Sequence, residues 1–194
     1  MKPLLTICTP SIWSRQDKAA SLAAEIQKQT EGCGLRTDHV EHIVLTDNKC
    51  MTIGEKRQRL FDSARGEYVA FVDDDDLIMD GYIPSIANAC ARSGADVITF
   101  KQRVLVDGAE GTCVFRLGQQ DEPFVAGGTF KRGPWHVCAW RKAPVASCRY
   151  LSCNYGEDIA WALQARQLVT HGAFIDAVLH QYTFDSAVSE APPP

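Results

Sequence analysis

The first hundred residues alternate between two hydrophobic periods. Leu4 to Cys8 is a short apolar, β-prone run. From Arg15 to Thr30 the apolar positions fall at Ala19, Leu22, Ala23 and Ile26 with charges between them, the spacing of an amphipathic helix. Gly32 and Gly34 mark its end. His42 to Thr46 predicts a second strand around Ile43-Val44-Leu45, and Glu55 to Arg65 a second helix with Leu60, Phe61 and Ala64 on one side and Gly66 behind it. Glu67 to Asp73 is different, because Tyr68-Val69-Ala70-Phe71-Val72 is apolar at every position. A strand without polar alternation is buried on both faces, as in a parallel sheet. Ile83 to Ser93 predicts a third helix that takes Pro84 in its first turn, and Asp96 to Phe100 a fourth strand.

The second half is less regular. Arg103–Val106 and Thr112–Leu117 flank Asp107-Gly108 and predict a hairpin. Gln119 to Gly133 is polar and glycine-containing and predicts a loop. Glu157 to Val169 predicts a helix with Ala160, Leu163 and Leu168 inward, and Phe174 to Leu179 a last strand that ends before His180. Strand–helix–strand repetition implies parallel strands joined by crossovers. The expected fold is a single α/β domain over residues 1–190, a mostly parallel central sheet flanked by helices, with 191–194 (Ala-Pro-Pro-Pro) as a disordered tail.

Composition narrows the function classes. The 194 residues, 45% hydrophobic and 23% charged, suit one globular domain that buries a core without metal or disulfide staples. A net charge of -4, from 24 acids and 20 bases, argues against a non-specific nucleic-acid binder, whose affinity comes from a cationic surface. The eight cysteines include no Cys-x-x-Cys pair, and Cys8, Cys90 and Cys138 lie in apolar segments, so reduced thiols are expected. No apolar run approaches the ~20 residues of a membrane span, and the opening is too short in apolar residues for a signal peptide. The expectation is a soluble, cytoplasmic protein.

The doubly apolar strand runs directly into Asp73-Asp74-Asp75-Asp76. Ligands of open parallel sheets bind beyond the carboxyl ends of the strands. Clustered carboxylates repel one another, and Mg2+ or Mn2+, which suit oxygen donors, relieve that repulsion. If strand geometry continues, Asp73 and Asp75 share a side. A solvated acidic turn capping the next helix would use the same residues, as would an Asp-x-Asp nucleophile loop of the haloacid-dehalogenase type, which belongs on a first strand.

Ala64-Arg-Gly-Glu-Tyr-Val-Ala-Phe-Val-Asp-Asp-Asp-Asp-Leu77 resembles the signature of family 2 glycosyltransferases of the GT-A fold. Three other segments follow in family order. Leu5-Thr-Ile-Cys-Thr-Pro10 with Arg15 resembles the first strand and its nucleotide-facing loop. Arg57 matches an arginine of the family, and Tyr155-Gly-Glu-Asp158 resembles the Glu-Asp motif that carries the catalytic base. The resemblance implies a Rossmann-like GT-A sheet, with residues 1–106 as nucleotide-binding half and 107–190 as acceptor half. It implies a nucleotide-sugar donor, most commonly UDP-linked, contacted by Thr9, Pro10, Arg15, Asp47, Arg57, Asp73 and Asp74. It implies Mn2+ or Mg2+ held by Asp73 and Asp75, with a late histidine, His180, completing the shell. Trp135 and His136 fall in the segment resembling the acceptor side. Thr46-Asp47-Asn48-Lys49 departs from the family's Asp-Asp-Gly-Ser, and Gln58 stands where the family has asparagine. The chain is also short for the family, and no anchoring or accessory domain is expected in it.

The chemistry of an inverting transfer asks for one base on the acceptor hydroxyl and one Lewis acid on the departing diphosphate. By resemblance Asp158 is the base, with Glu157 beside it; the plain alternative is that both acids cap the following helix. Arginine suits the diphosphate, and Arg57 fits the family pattern better than Arg15 or Lys56. Two other functions use the same features: a nucleotidyltransferase, which usually opens with a Gly-rich loop that Thr9 to Arg15 lacks, and an inactive sugar-binding GT-A module. Acceptors compatible with a compact transferase are a polysaccharide intermediate, a protein, a small molecule and hydroxymethylated DNA, the last disfavoured by the net charge.

Overall fold

The structure is a computed structural model that describes residues 2–33 and 39–187. Gly34 and the expected tail, 191–194, lie outside them. The strands form one nine-stranded mixed sheet. Its parallel half is β2 (Val40–Asp47), β1 (Leu5–Ile12) and β3 (Tyr68–Phe71), in that spatial order. β8 (Ala139–Arg141) then pairs antiparallel with both β3 and β5 (Val97–Val106). β6 (Ala109–Phe115) and β7 (Thr129–Arg132) extend that edge. β9 (Gly172–Phe184) runs parallel to β5 and takes the two-residue β4 (Leu77–Ile78) as an antiparallel partner. The helices are α1 (Gln16–Gly32), α2 (Ile53–Ser63), α3 (Tyr82–Ser93) and α4 (Glu157–Leu168).

The strongly periodic elements fall where the pattern places them. Ala19, Leu22 and Ile26 of α1 and Leu60 and Phe61 of α2 are buried, as is every residue of β3. All eight cysteines are free thiols. Several expectations are corrected. β1 does not end at Cys8 but runs to Ile12, so Thr9 and Pro10 are buried strand residues rather than loop residues. β3 stops pairing at Cys8, so Pro10 lies where β1 has one neighbour only, a position sheets tolerate for proline. The fourth strand and the first arm of the hairpin are one continuous β5. Residues 119–133 are not all loop, since β7 lies within them, and His180 is inside β9 rather than behind it.

The inner face of α4 is also corrected. Trp161, Ala162 and Ala165 are buried, whereas Leu163 and Leu168 are about half exposed. Trp161 decides this. Its ring stacks on Tyr150 at 5.1 Å and meets Trp140 of β8 and Phe61 of α2 edge-on at 5.3 and 5.7 Å. Aromatic pairs in these geometries add to what area burial alone contributes, and one large ring outweighs two leucines in setting the helix phase. The cluster brings the first turn of α4 to the carboxyl end of the parallel strands.

α2 begins with a capping box. The Thr52 hydroxyl accepts from the Glu55 N–H, and the Glu55 carboxylate accepts from the Thr52 N–H at 2.8 Å. The next turn touches the segment leading to α4: the Gly54 N–H donates to the Cys153 carbonyl at 3.1 Å. A Cβ on Gly54 would stand 1.7 Å from the Leu151 carbonyl oxygen, and backbone cannot yield as a flexible side chain does. Gly54→Ala is therefore expected to destabilise the protein by about 1–3 kcal/mol, read as a lower midpoint in thermal or urea unfolding.

Candidate active site

Arg57, on α2, is 3% exposed. Its Nη1 and Nη2 donate to the two carboxylate oxygens of Asp73 at 2.9 and 2.8 Å, and its Nε donates to Glu157 Oε1 at 3.1 Å. One guanidinium thus joins the acid run after β3 to the acidic pair opening α4. Burial opposes the charge on Arg57, but Asp73 and Glu157 overcome it and the guanidinium is held firmly protonated. Burial also opposes ionisation of Asp73, yet Arg57 outweighs it and the carboxyl titrates below the usual range. At Glu157 burial, reinforced by Asp158, wins over Arg57 and the shift is upward.

The remaining aspartates alternate in role. Asp74 is buried and accepts from the Ser11 hydroxyl at 2.7 Å and from Arg15 Nη1 at 2.9 Å. The same Nη1 reaches Asp75 Oδ2 at 2.7 Å. Asp75 is exposed, and its carboxyl is pushed up by burial of its surroundings and by Asp73. Asp76 is buried, closes the turn by donating its N–H to the Asp73 carbonyl at 3.1 Å, and is pushed up to about 6, chiefly by burial. Its Oδ2 lies 3.3 Å from Nε2 of His180, a fully buried ring whose Nδ1 accepts from the Gln102 amide nitrogen at 3.0 Å. That Nε2 has no hydrogen-bond partner.

Across the site, Asp158 is partly exposed, with Oδ1 accepting from the Ile159 N–H at 2.7 Å and Oδ2 3.5 Å from His136 Nδ1. His136 is buried and lies edge-on to Phe71 at 6.3 Å. Burial, with Arg57 nearby, pushes its pKa down to about 4. Tyr182, half-buried on β9, is pushed up to about 12 by burial and by the charges of Asp76, Asp73, Asp75 and Asp158. Its ring therefore sits within the field of both acidic motifs.

The structure thus gathers Arg15, Asp73, Asp74, Asp75, His136, Glu157, Asp158 and His180 around one site. Other expected site residues have partners within the protein. The three hydrogen bonds of Arg57 go to carboxylates inside the protein, so it joins the two acidic motifs. Asp47 pairs with Lys56 and accepts from the Met51 N–H at 2.8 Å, shaping the loop after β2. Lys56 also donates to the Ser11 carbonyl at 2.7 Å and is buried. The Thr9 hydroxyl meets His42 Nε2 at 2.9 Å. His136 is buried behind Asp158, and Trp135 is half-buried beneath the Arg132 guanidinium at 4.8 Å. Gln102, Tyr182 and the Asp76–His180 contact were not singled out from the sequence. Asp76, inside the acid run, and His180, expected as a late metal ligand, each carried a signal there, but their contact did not.

Among the described residues no three His, Cys, Asp or Glu side chains converge closely enough to hold an ion by themselves, and no helix is long and apolar enough to cross a membrane. The donor set nevertheless fits a divalent cation. Carboxylate oxygens are the donors that Mg2+ and Mn2+ take, the exposed Asp75 beside Asp73 and Asp74 offers them, and such cations commonly draw further oxygens from substrate phosphates.

A parallel strand trio ending in carboxylates, with a second acidic pair brought over it by a helix, describes a GT-A transferase domain. The glycosyl transferase family 2 model matches residues 14–115, more than half of the 194, and the chain belongs to that family. Among solved structures, S. aureus TarS 1-349 in complex with UDP is 16% identical with a TM-score of 0.62, covering 94% of this chain and 61% of that one. TarS 1-349 in complex with UDP-GlcNAc is 13% identical with a TM-score of 0.58, covering 94% and 59%. At that identity the likeness establishes the GT-A fold. This chain spans about three fifths of the TarS 1-349 chain. No curated protein matches it.

His136 yields a pH prediction. Between about 4 and 6.5 the unfolded imidazole binds a proton that the folded one does not, so its contribution to stability grows as pH rises through that window. Relative to His136→Asn, the wild type should gain on the order of 3 kcal/mol from pH 4 to pH 6.5 and nothing further above it, measured by urea unfolding across pH. His42, also lowered to about 4, is present in both proteins and cancels.

Proposed function

We propose that this chain is a divalent-cation-dependent glycosyltransferase that moves a sugar from a nucleotide-sugar donor to an acceptor hydroxyl with inversion. The observation that carries the proposal is the Arg57 bridge, which holds the Asp73–Asp76 run and the Glu157-Asp158 pair on two sides of one site. The TarS complexes with UDP and UDP-GlcNAc support a uridine nucleotide as carrier.

In this reading the donor lies over the carboxyl ends of β1, β2 and β3, with Thr9 and Pro10 shaping the floor and Asp47 the rim. Asp73, Asp75 and His180 hold Mn2+ or Mg2+, with Asp76 alongside. The bound cation supplies Lewis-acid stabilisation to the departing nucleoside diphosphate. Arg15, the half-exposed base on the acid run, turns its guanidinium to the diphosphate, a geometry that arginine suits. Asp158 takes the proton of the acceptor hydroxyl. Its carboxylate is partly exposed and held by the Ile159 N–H, with neutral His136 behind it. Glu157 is spoken for by Arg57 and serves catalysis by fixing the start of α4. Trp135 borders the acceptor side, and a cytoplasmic location goes with the reading.

Asp75→Ala and Asp158→Asn test this. Each should leave the unfolding midpoint near wild type. Asp75→Ala should abolish Mn2+-dependent release of UDP from a UDP-sugar, and Asp158→Asn should lower transfer by about 10²–10⁴-fold, the usual contribution of a positioned base. Full activity in Asp158→Asn would remove Asp158 from that role.

A further inference from the structure

β9 shifts register against β5 as it reaches the site. Thr99 pairs with Phe174, but Gln102 pairs with His180 and Val104 with Tyr182. Bulges beside functional sites commonly re-aim side chains in this way. β4 ties the same stretch to the acid run, because Ile78, just past Asp76, pairs with His180. Side chains two apart on a strand share a face. Tyr182 therefore stands beside His180 on the face whose ring comes within 3.3 Å of Asp76. The Tyr182 ring rests against the core while its outer part stays open. Its hydroxyl makes no hydrogen bond with any described residue. The charges of Asp73, Asp75, Asp76 and Asp158 all bear on that phenol, so it faces the gap between the two acidic motifs.

The polar groups around that gap are carboxylates, and the two arginines among them are engaged. Arg57 donates to Asp73 and Glu157, and Arg15 to Asp74 and Asp75. A phenol keeps its proton at neutral pH and donates it without adding charge. Tyr182 is thus a hydrogen-bond donor, unpaired within the protein, in a gap lined by acceptors.

We propose that Tyr182 is a substrate-contacting residue whose hydroxyl donates a hydrogen bond to an oxygen of the donor's transferred sugar. The inference rests on the glycosyltransferase reading above. In an inverting transfer the anomeric carbon lies between the departing phosphate and the incoming oxygen. The phosphate belongs to the acid-run side and the incoming oxygen to Asp158, so the sugar fills the gap that Tyr182 faces. Sugar hydroxyls can donate to the carboxylates there, but a sugar oxygen that must accept finds no free donor among them. Tyr182 supplies it. A site that hydrogen-bonds a substrate oxygen in this way recognises the sugar itself and not only the nucleotide that carries it.

The test is calorimetric titration of the full chain, in the presence of Mn2+, with UDP and with UDP-glucose, UDP-galactose and UDP-GlcNAc, for wild type and Tyr182→Phe. The variant keeps the ring and should keep the thermal unfolding midpoint. It is expected to bind UDP within about twofold of wild type and the tightest of the UDP-sugars about three- to tenfold more weakly, the usual worth of one hydrogen bond. Unchanged UDP-sugar affinity in Tyr182→Phe overturns the inference and leaves the transferase reading standing. An equal loss for UDP and UDP-sugar, as a structural or nucleotide-contacting tyrosine would give, also overturns it. So does wild-type binding of UDP with none of the three UDP-sugars bound. A wild type that binds neither UDP nor a UDP-sugar removes the transferase reading, and this inference with it.

Discussion

Four consecutive carboxylates at a strand end, joined by a fifth and sixth from another helix, do not share a small volume unless something pays for their repulsion. Arg57 supplies the central part of that compensation. Its planar fork takes both oxygens of Asp73 while Nε takes Glu157, a fit that a lysine ammonium cannot reproduce. The partners are 16 and 100 residues away along the chain. Removing one member of such a buried set leaves an uncompensated charge, which is typically far more destabilising than the loss of a surface pair. Arg15 performs the corresponding task at the solvent side, on Asp74 and Asp75. It is half-exposed, so its bonds are more open to solvent than those of Arg57.

The rest of the fold serves to keep α4 where Arg57 can reach it. Trp161 locks the helix against Tyr150, Trp140 and Phe61. The bare Cα of Gly54 lets the segment before α4 lie directly on α2. His136 closes the gap between Phe71 and Asp158 and stays neutral at physiological pH because burial disfavours its charge. Packing and electrostatics therefore act on the same few residues. The aromatic cluster sets the distance between the two acidic motifs, and the guanidinium makes that distance favourable.

Much of this was legible in the residues. The helical spacing of α1 and α2 and the unbroken apolar run of β3 are local signals, and the acid run announced itself at the end of that strand. What escaped was tertiary in origin. β4 and β8 are two and three residues long, too short to carry a period. The phase of α4 follows one tryptophan that meets partners from three other segments, which no helical repeat within the α4 sequence encodes. Arg57 matched the family pattern, yet the direction of its side chain depends on Glu157, a hundred residues later. His180 was legible as a late histidine, but its contacts with Gln102 and Asp76 follow from a register irregularity in β9 that leaves no mark in composition.

Membership of glycosyl transferase family 2 and the GT-A fold stand on the sequence match and the sheet together. The proposed chemistry depends on Arg57 holding both acidic motifs in one site competent for cation and nucleotide. The most direct measurement is a calorimetric titration of UDP, in the presence of Mn2+, into the wild-type chain and into Arg57→Lys. The account predicts binding by the wild type and at least about tenfold weaker binding by Arg57→Lys, because a single ammonium cannot span three contacts. Equal affinity in the two proteins, or no binding by the wild type, would contradict it.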